Sequence, residues 1–307
     1  MDHASACAKI ILCGEHAVVY TRPAIAVPIH DLRAHATFTP QEGGALHVHL
    51  EDLDERWVWS PHLQHPLAVV ISHTLDTLGQ TPPSGMLQVR SDIPIGGGLG
   101  SSAAVATAVV RVLAQALHHP LPPDEVARLV YEGEKLWHGT PSGIDNTVIA
   151  YEQPIWFVKG APPEPFELSH PIPLVIADSG QAAATRDVVA YVRQQWEAQK
   201  VRYEALFDAI GRVVHRARDA LVRSDWPELG ALLNENHYLL EQMGVSSPQL
   251  DALVQAAREA GAWGAKLAGA GWGGNVIALA PPSRAGEIVH ALRRAGAQHV
   301  YTTGVTP

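Results

Sequence analysis

Apolar positions along the chain change period several times, and each change marks an element. Ile10-Ile11-Leu12 is a short apolar run before Gly14 and predicts a strand ending in a turn. Residues 24–38 predict one or two further strands, and residues 46–50 alternate in the strand manner, with the hairpin-type turn Gln41-Glu42-Gly43-Gly44 between them. Leu67, Ile71, Leu75 and Leu78 recur at helical spacing, so residues 66–78 form an amphipathic helix that Gly79 stops. Residues 86–89 predict a strand and residues 93–102 a loop. Residues 103–117 carry almost no polar side chain except Thr107, Arg111 and Gln115, so that helix must be buried behind a sheet. Pro123-Asp124-Glu125 suits a first helical turn, and the helix runs to about Trp137.

The stretch Ala161-Pro162-Pro163-Glu164-Pro165 reads as a domain junction, dividing the chain into residues 1–162 and 163–307. Beyond it come a strand over 173–178 and three helices across 187–261. A strand near Ala265, a glycine-rich loop, a strand over 275–280, a helix over 284–295 and a strand over 300–304 close the chain. The fold class is α+β in two halves.

Composition narrows the chemistry. Hydrophobic residues make up 47% and charged residues 17%, enough for a sizeable core in a chain of 307 residues. The formal charge is −9 and no basic run exceeds a dipeptide, which argues against nucleic acid or an anionic membrane as partner. No apolar run approaches the ~20 residues that cross a bilayer, and the start lacks a basic region before an apolar run, so a cytoplasmic enzyme is expected. Cys7 and Cys13 are too few and too close for a disulfide framework. Among the 17 histidines, His47 and His49 share one side of a strand, and no third zinc ligand is in view.

Four segments carry candidate chemistry. Gly96, Gly97, Gly98 and Gly100 let the backbone close on a ligand and, with the helix behind them, offer amide donors suited to phosphate. No Lys-Ser/Thr pair follows the last glycine, so this is no Walker loop. Glu134 and Asp145 flank a Gly/Pro/Ser turn; phosphoryl transfer needs one carboxylate for Mg²⁺ and another group for the acceptor hydroxyl. Gly269, Gly271 and Gly274 satisfy a dinucleotide expression, but a strand follows instead of a helix, so that assignment fails and a lid or wall is expected. Lys9 with Gly14-Glu15-His16 could hold a polar acceptor.

Together the four resemble the GHMP kinase superfamily, and within it the mevalonate branch. Lys9 to Tyr20 is similar to its N-terminal motif, Pro94 to Ala104 to its phosphate loop, His138 to Asn146 to the segment around its catalytic aspartate, and Lys266 to Asn275 to its third motif. The resemblance implies a ribosomal-protein-S5-like N-terminal domain and a ferredoxin-like C-terminal domain. It makes Asp145 the catalytic base, Lys9 its charge partner, and Ser102 and Glu134 the Mg²⁺ ligands. ATP would lie against Pro94, Gly96, Gly97, Gly98, Leu99, Gly100, Ser101, Ser102, Gly269 and Gly271. Glu15, His16 and Thr185 would contact the acceptor, with Arg186 a carboxylate partner. Mevalonate is the expected acceptor, phosphorylated at its primary hydroxyl, and a homodimer is allowed. A phosphomevalonate, sugar or sugar-phosphate acceptor, or an inactive ligand-binding relative, stays open.

Lys9 and Asp145 should lie within roughly 8 Å. Lys135 and Lys266 should sit on helix and strand faces away from the acceptor. The family has Thr, Gly and Cys where this chain has Ala268, Trp272 and Asn275; Trp272 should keep φ < 0, with its indole packed on a neighbouring loop or lining the cleft.

Overall fold

The structure is a computed structural model and describes residues 1–94, 97–138, 141–181 and 183–305. The chain groups into two compact units. Residues 1–9, 30–95 and 99–152 form the first; residues 10–29, 96–98 and 153–307 form the second. Two long strands, β1 (Asp2–Cys13) and β2 (Ala24–Pro40), run from one unit into the other. Both exceed the expected lengths.

In the first unit, residues 34–40 of β2 pair antiparallel with β5 (Gly85–Ser91), and β3 (Leu46–Leu50) runs parallel to β5 with β4 (Glu55–Val58) at its edge. Leu46, Val48 and Leu50 are buried while His47 and His49 face the other side, as a period of two requires. Among the described residues four α-helices belong to this unit: α1 (Pro66–Leu78), α2 (Ser101–Ala116), α3 (Pro123–His138) and α4 (Ile144–Tyr151). Gly79 ends α1 at φ +62, a conformation that costs glycine little. Val109, Val110, Val112 and Leu113 of α2 are fully buried, each contributing about 1.5–3 kcal/mol over an exposed position. The helix is the unit's apolar centre.

In the second unit, Ala24, Ile25 and Ala26 of β2 pair with β6 (Ile155–Phe157), which also pairs with β7 (Glu164–Pro165). Then follow β8 (Ile172–Asp178), α5 (Thr185–Ala198), α6 (Lys200–Val222), α7 (Trp226–Met243), α8 (Pro248–Glu259), β9 (Gly264–Ala268), β10 (Asn275–Leu279), α9 (Ala285–Arg294) and β11 (His299–Val305). Four helices therefore stand where three were expected, because the chain breaks at Gln199 (φ −135°, ψ 50°) without any glycine or proline. The sheet order β11-β8-β10-β9 is all antiparallel, the ferredoxin-like arrangement. Every residue of β9 and β10 is buried, so loops leaving these strands start from a rigid base. Among the described residues no helix is long and apolar enough to cross a membrane.

Candidate active site

The first unit gathers the phosphate-loop side. Lys9 lies in β1 with 3% of its side chain exposed, and its Nζ is 2.8 Å from Asp145 Oδ1, within the expected reach. Its backbone N–H donates to the Leu99 carbonyl at 3.0 Å, which ties the strand to the loop. Gly100 makes this packing possible: a Cβ there would lie 2.9 Å from both Lys9 Cγ and Ile149 Cδ1. At φ +78 it also caps α2. Asp145 sits in the first turn of α4, after Gly143 at φ +92, where the helix dipole favours a carboxylate. The sequence suggests only a turn here, since α4 is short and hidden behind Pro141-Ser142-Gly143. With 34% of its side chain exposed, Asp145 can be reached by a ligand.

Ser102 Oγ, also in the first turn of α2, donates to Glu134 Oε1 on α3 at 2.8 Å. Glu134 is buried, and that burial, reinforced by the Asp145 charge, raises its carboxyl to about 7 against the opposing pull of Ser102 and Lys9. A hydroxyl and a carboxylate this close, with an acidic neighbour, form a hard-oxygen donor set that fits a divalent cation. The first turn of α2 has no acidic residue, so its N-terminus favours an anion.

Among the described residues two other groups of potential metal ligands fit less well. Glu152, near Cys7 and His30, is already held by Arg33 and Arg111. His237, near Glu241 and Asp251, accepts the Leu267 N–H at Nδ1, leaving the hydrogen on Nε2.

The second unit holds a separate cluster. Glu15 Oε1 accepts from Lys266 Nζ, which also donates to the Leu267 carbonyl. Lys266 is in the strand β9 as expected, but instead of standing apart from the acceptor residues its fully buried side chain pairs with the equally buried Glu15. Lys135, by contrast, is exposed on α3 and paired with Glu132. His16 Nε2 meets the Ala270 carbonyl at 2.8 Å, so a neutral ring donates there; burial pulls its pKa down to about 4. The Gly14 N–H donates to Asn236 Oδ1 at 3.2 Å. The turn 14–16 and the third glycine loop are thus one hydrogen-bonded body. Lys266 and Asn236 are the parts that sequence reasoning missed, since neither stands in a motif with its partner.

Trp272 corrects an expectation. Its φ is +58, not negative, and the residue is 36% exposed. Two hydrogen bonds hold it there, from its backbone N–H to the Val245 carbonyl at 2.8 Å and from Nε1 to the Gly244 carbonyl at 2.9 Å. The ring rests on Tyr191 with centroids 5.0 Å apart, as the packing half of the expectation required. Next to it, a Cβ at Gly271 would meet the Val245 carbonyl oxygen at 2.0 Å, so only glycine fits.

The remaining positions divide. Gly97, Gly98, Leu99 and Ser101 follow Pro94 along the phosphate loop, and Ser101 Oγ reaches the Ile93 carbonyl at 3.5 Å. Gly96 lies outside the described residues, as do Gly139 and Thr140 of the segment before Asp145. Gly269 is in the third glycine loop at φ +94. Thr185 and Arg186 are exposed at the start of α5, Arg186 near Asp187 at 3.7 Å.

Comparison with known proteins places this geometry. Residues 66–153 match the GHMP kinases N terminal domain, and residues 217–298 match GHMP kinases C terminal. The mevalonate kinase of Thermococcus sibiricus is 36% identical over 322 residues, covering 97% of this chain and 95% of the relative. The crystal structure of L. major mevalonate kinase in complex with R-mevalonate superposes with a TM-score of 0.86 at 29% identity, covering 100% of this chain and 96% of that one. The Methanococcus jannaschii mevalonate kinase gives 0.87 at 26% identity, over 99% and 98%. With these matches running the length of the chain, the protein belongs to the GHMP kinases, on their mevalonate kinase branch.

Proposed function

We propose that this ATP-dependent kinase transfers the γ-phosphoryl group of ATP to the primary hydroxyl of mevalonate, with Asp145 as the general base. The observation that carries it is the Lys9–Asp145 pair at 2.8 Å, with the carboxylate partly open to a ligand. Asp145 takes the hydroxyl proton, the freed oxygen attacks the γ-phosphorus, and the bond to the β,γ-bridging oxygen breaks to release ADP. Lys9 orients the carboxylate and offsets negative charge that develops beside it. The amides of Gly97 to Ser102 and the N-terminus of α2 cradle the phosphates.

Ser102 and Glu134 would hold Mg²⁺, which when bound neutralises β- and γ-phosphate oxygens. Glu15 and His16 would shape the acceptor pocket, and the absence of an Arg/Lys cluster in their turn favours an acceptor without a phosphate. Thr185 and Arg186 would meet the acceptor's carboxylate from the start of α5. A cytoplasmic location is part of this reading, and a homodimer is compatible with it; light scattering on purified protein tests the dimer. Coupled ADP release on mevalonate, phosphomevalonate, galactose and homoserine tests the substrate. Mevalonate should turn over fastest; faster turnover on any of the other three overturns the acceptor assignment, and turnover on none overturns the kinase assignment.

A further inference from the structure

We propose that Asn275 is a positioning residue for the phosphate loop, fixing through its side-chain amide how the loop's tip faces the nucleotide phosphates. Asn275 Nδ2 donates to the Gly97 carbonyl, and both partners belong to the second unit, whereas the loop from Leu99 onward belongs to the first. The amide orientation follows from the pairing, since a flipped amide would set oxygen against oxygen. Oδ1 is buried and accepts no hydrogen bond among the described residues, so the Gly97 contact is the directional tie this side chain supplies.

Its root is rigid. Asn275 opens β10 opposite Asp178 on one neighbouring strand and Ala268 on the other, and is 1% exposed. Gly274 before it donates to the Gln181 carbonyl at 2.8 Å and accepts from the Ser179 N–H at 2.9 Å. The target, by contrast, is soft. Gly97 and Gly98 have no side chains to pack, Gly98 stands at φ +75 with no atom near its missing Cβ, and a glycine run has many conformations to lose. One donor from a fixed strand can decide which of them is populated.

The inference deepens the nucleotide-binding assignment and rests on it. Its test compares Asn275→Ala and Asn275→Asp with the parent full-length protein, measuring both KM values, kcat, the Kd of ADP by calorimetry and Tm. Asn275→Ala should raise KM for ATP and the ADP Kd about tenfold, with KM for mevalonate within about twofold of the parent. Asn275→Asp, nearly isosteric but without the donor, should weaken nucleotide binding further, and it carries the test if Asn275→Ala does not fold. Unchanged nucleotide constants overturn the inference, as does a proportional rise in both KM values with a falling Tm. A parent protein that binds no ADP would instead overturn the nucleotide assignment itself, before any variant is compared.

Discussion

Among the described residues two lysine–carboxylate pairs have a buried lysine, and they differ in one respect that decides their use. Lys9 is buried but its partner Asp145 is 34% exposed, so the pair presents one charged face outward. Lys266 and Glu15 are 0% and 1% exposed, so that pair is sealed on both sides. An open pair can trade its proton with a ligand. A sealed pair can only hold its surroundings, and its worth depends on both charges staying together. In the sequence each lysine stands near a glycine turn; packing shows that only one of them has a partner open to a ligand.

The sharpest test of the contrast is Asp145→Asn. Turnover should fall by about 10²–10⁴, the scale of losing a general base, while the urea midpoint stays near that of the parent. Unchanged kcat would remove Asp145 from the chemistry and erase the difference between the pairs. Lys266→Met should do the opposite, costing about 3–5 kcal/mol of stability by stranding Glu15, as urea unfolding would record. Adding Glu15→Gln to it should recover much of that loss. A stable but inactive Lys266→Met would show instead that the sealed pair has a chemical role.

A third test uses pH. Burial, aided by the Arg258 and Lys266 charges, lowers His237 to about 3, and burial lowers His16 to about 4. Both folded values lie below the ordinary 6.5, so the unfolded chain binds protons that the fold refuses. Stability from these rings is complete above pH 6.5 and is lost as pH falls through it toward 4 and 3. At pH 5 the loss should be about 2 kcal/mol for each ring, read from urea midpoints at pH 7.5 and 5. A flat profile would mean that the sealed region admits water or protons more freely than its packing suggests. The smallest effect belongs to its rim: Trp272→Phe loses the bond to the Gly244 carbonyl and should cost about 1 kcal/mol in thermal unfolding.

Much of this was legible from residue order alone. Helix α1 announced itself by spacing and by Gly79, and α2 by its lack of polar residues, because periodicity and burial are local signals. Lys9, Ser102, Glu134 and Asp145 stood out because four motifs resembled one family in the right order. The α5–α6 break did not, since Ala198-Gln199-Lys200 carries no turn chemistry. Nor did the left-handed backbone of Trp272, where hydrogen bonds to Gly244 and Val245 outweigh the cost that local rules assign to a bulky residue. The environment of Lys266 was equally hidden: its partner is 251 residues away, and nothing local says that a strand lysine faces inward.

One feature of β1 has a practical side. Cys7 and Cys13 are the chain's only cysteines, both free and buried within that strand. Burial pushes the Cys7 thiol up to about 12 and raises Cys13 as well, so neither forms the thiolate that reagents attack. The native fold is in effect a blank background for thiol labelling. A single cysteine placed at exposed Lys135 would be the one reactive site on the molecule, and a spin label or fluorophore attached there could follow α3 during turnover without removing either native cysteine.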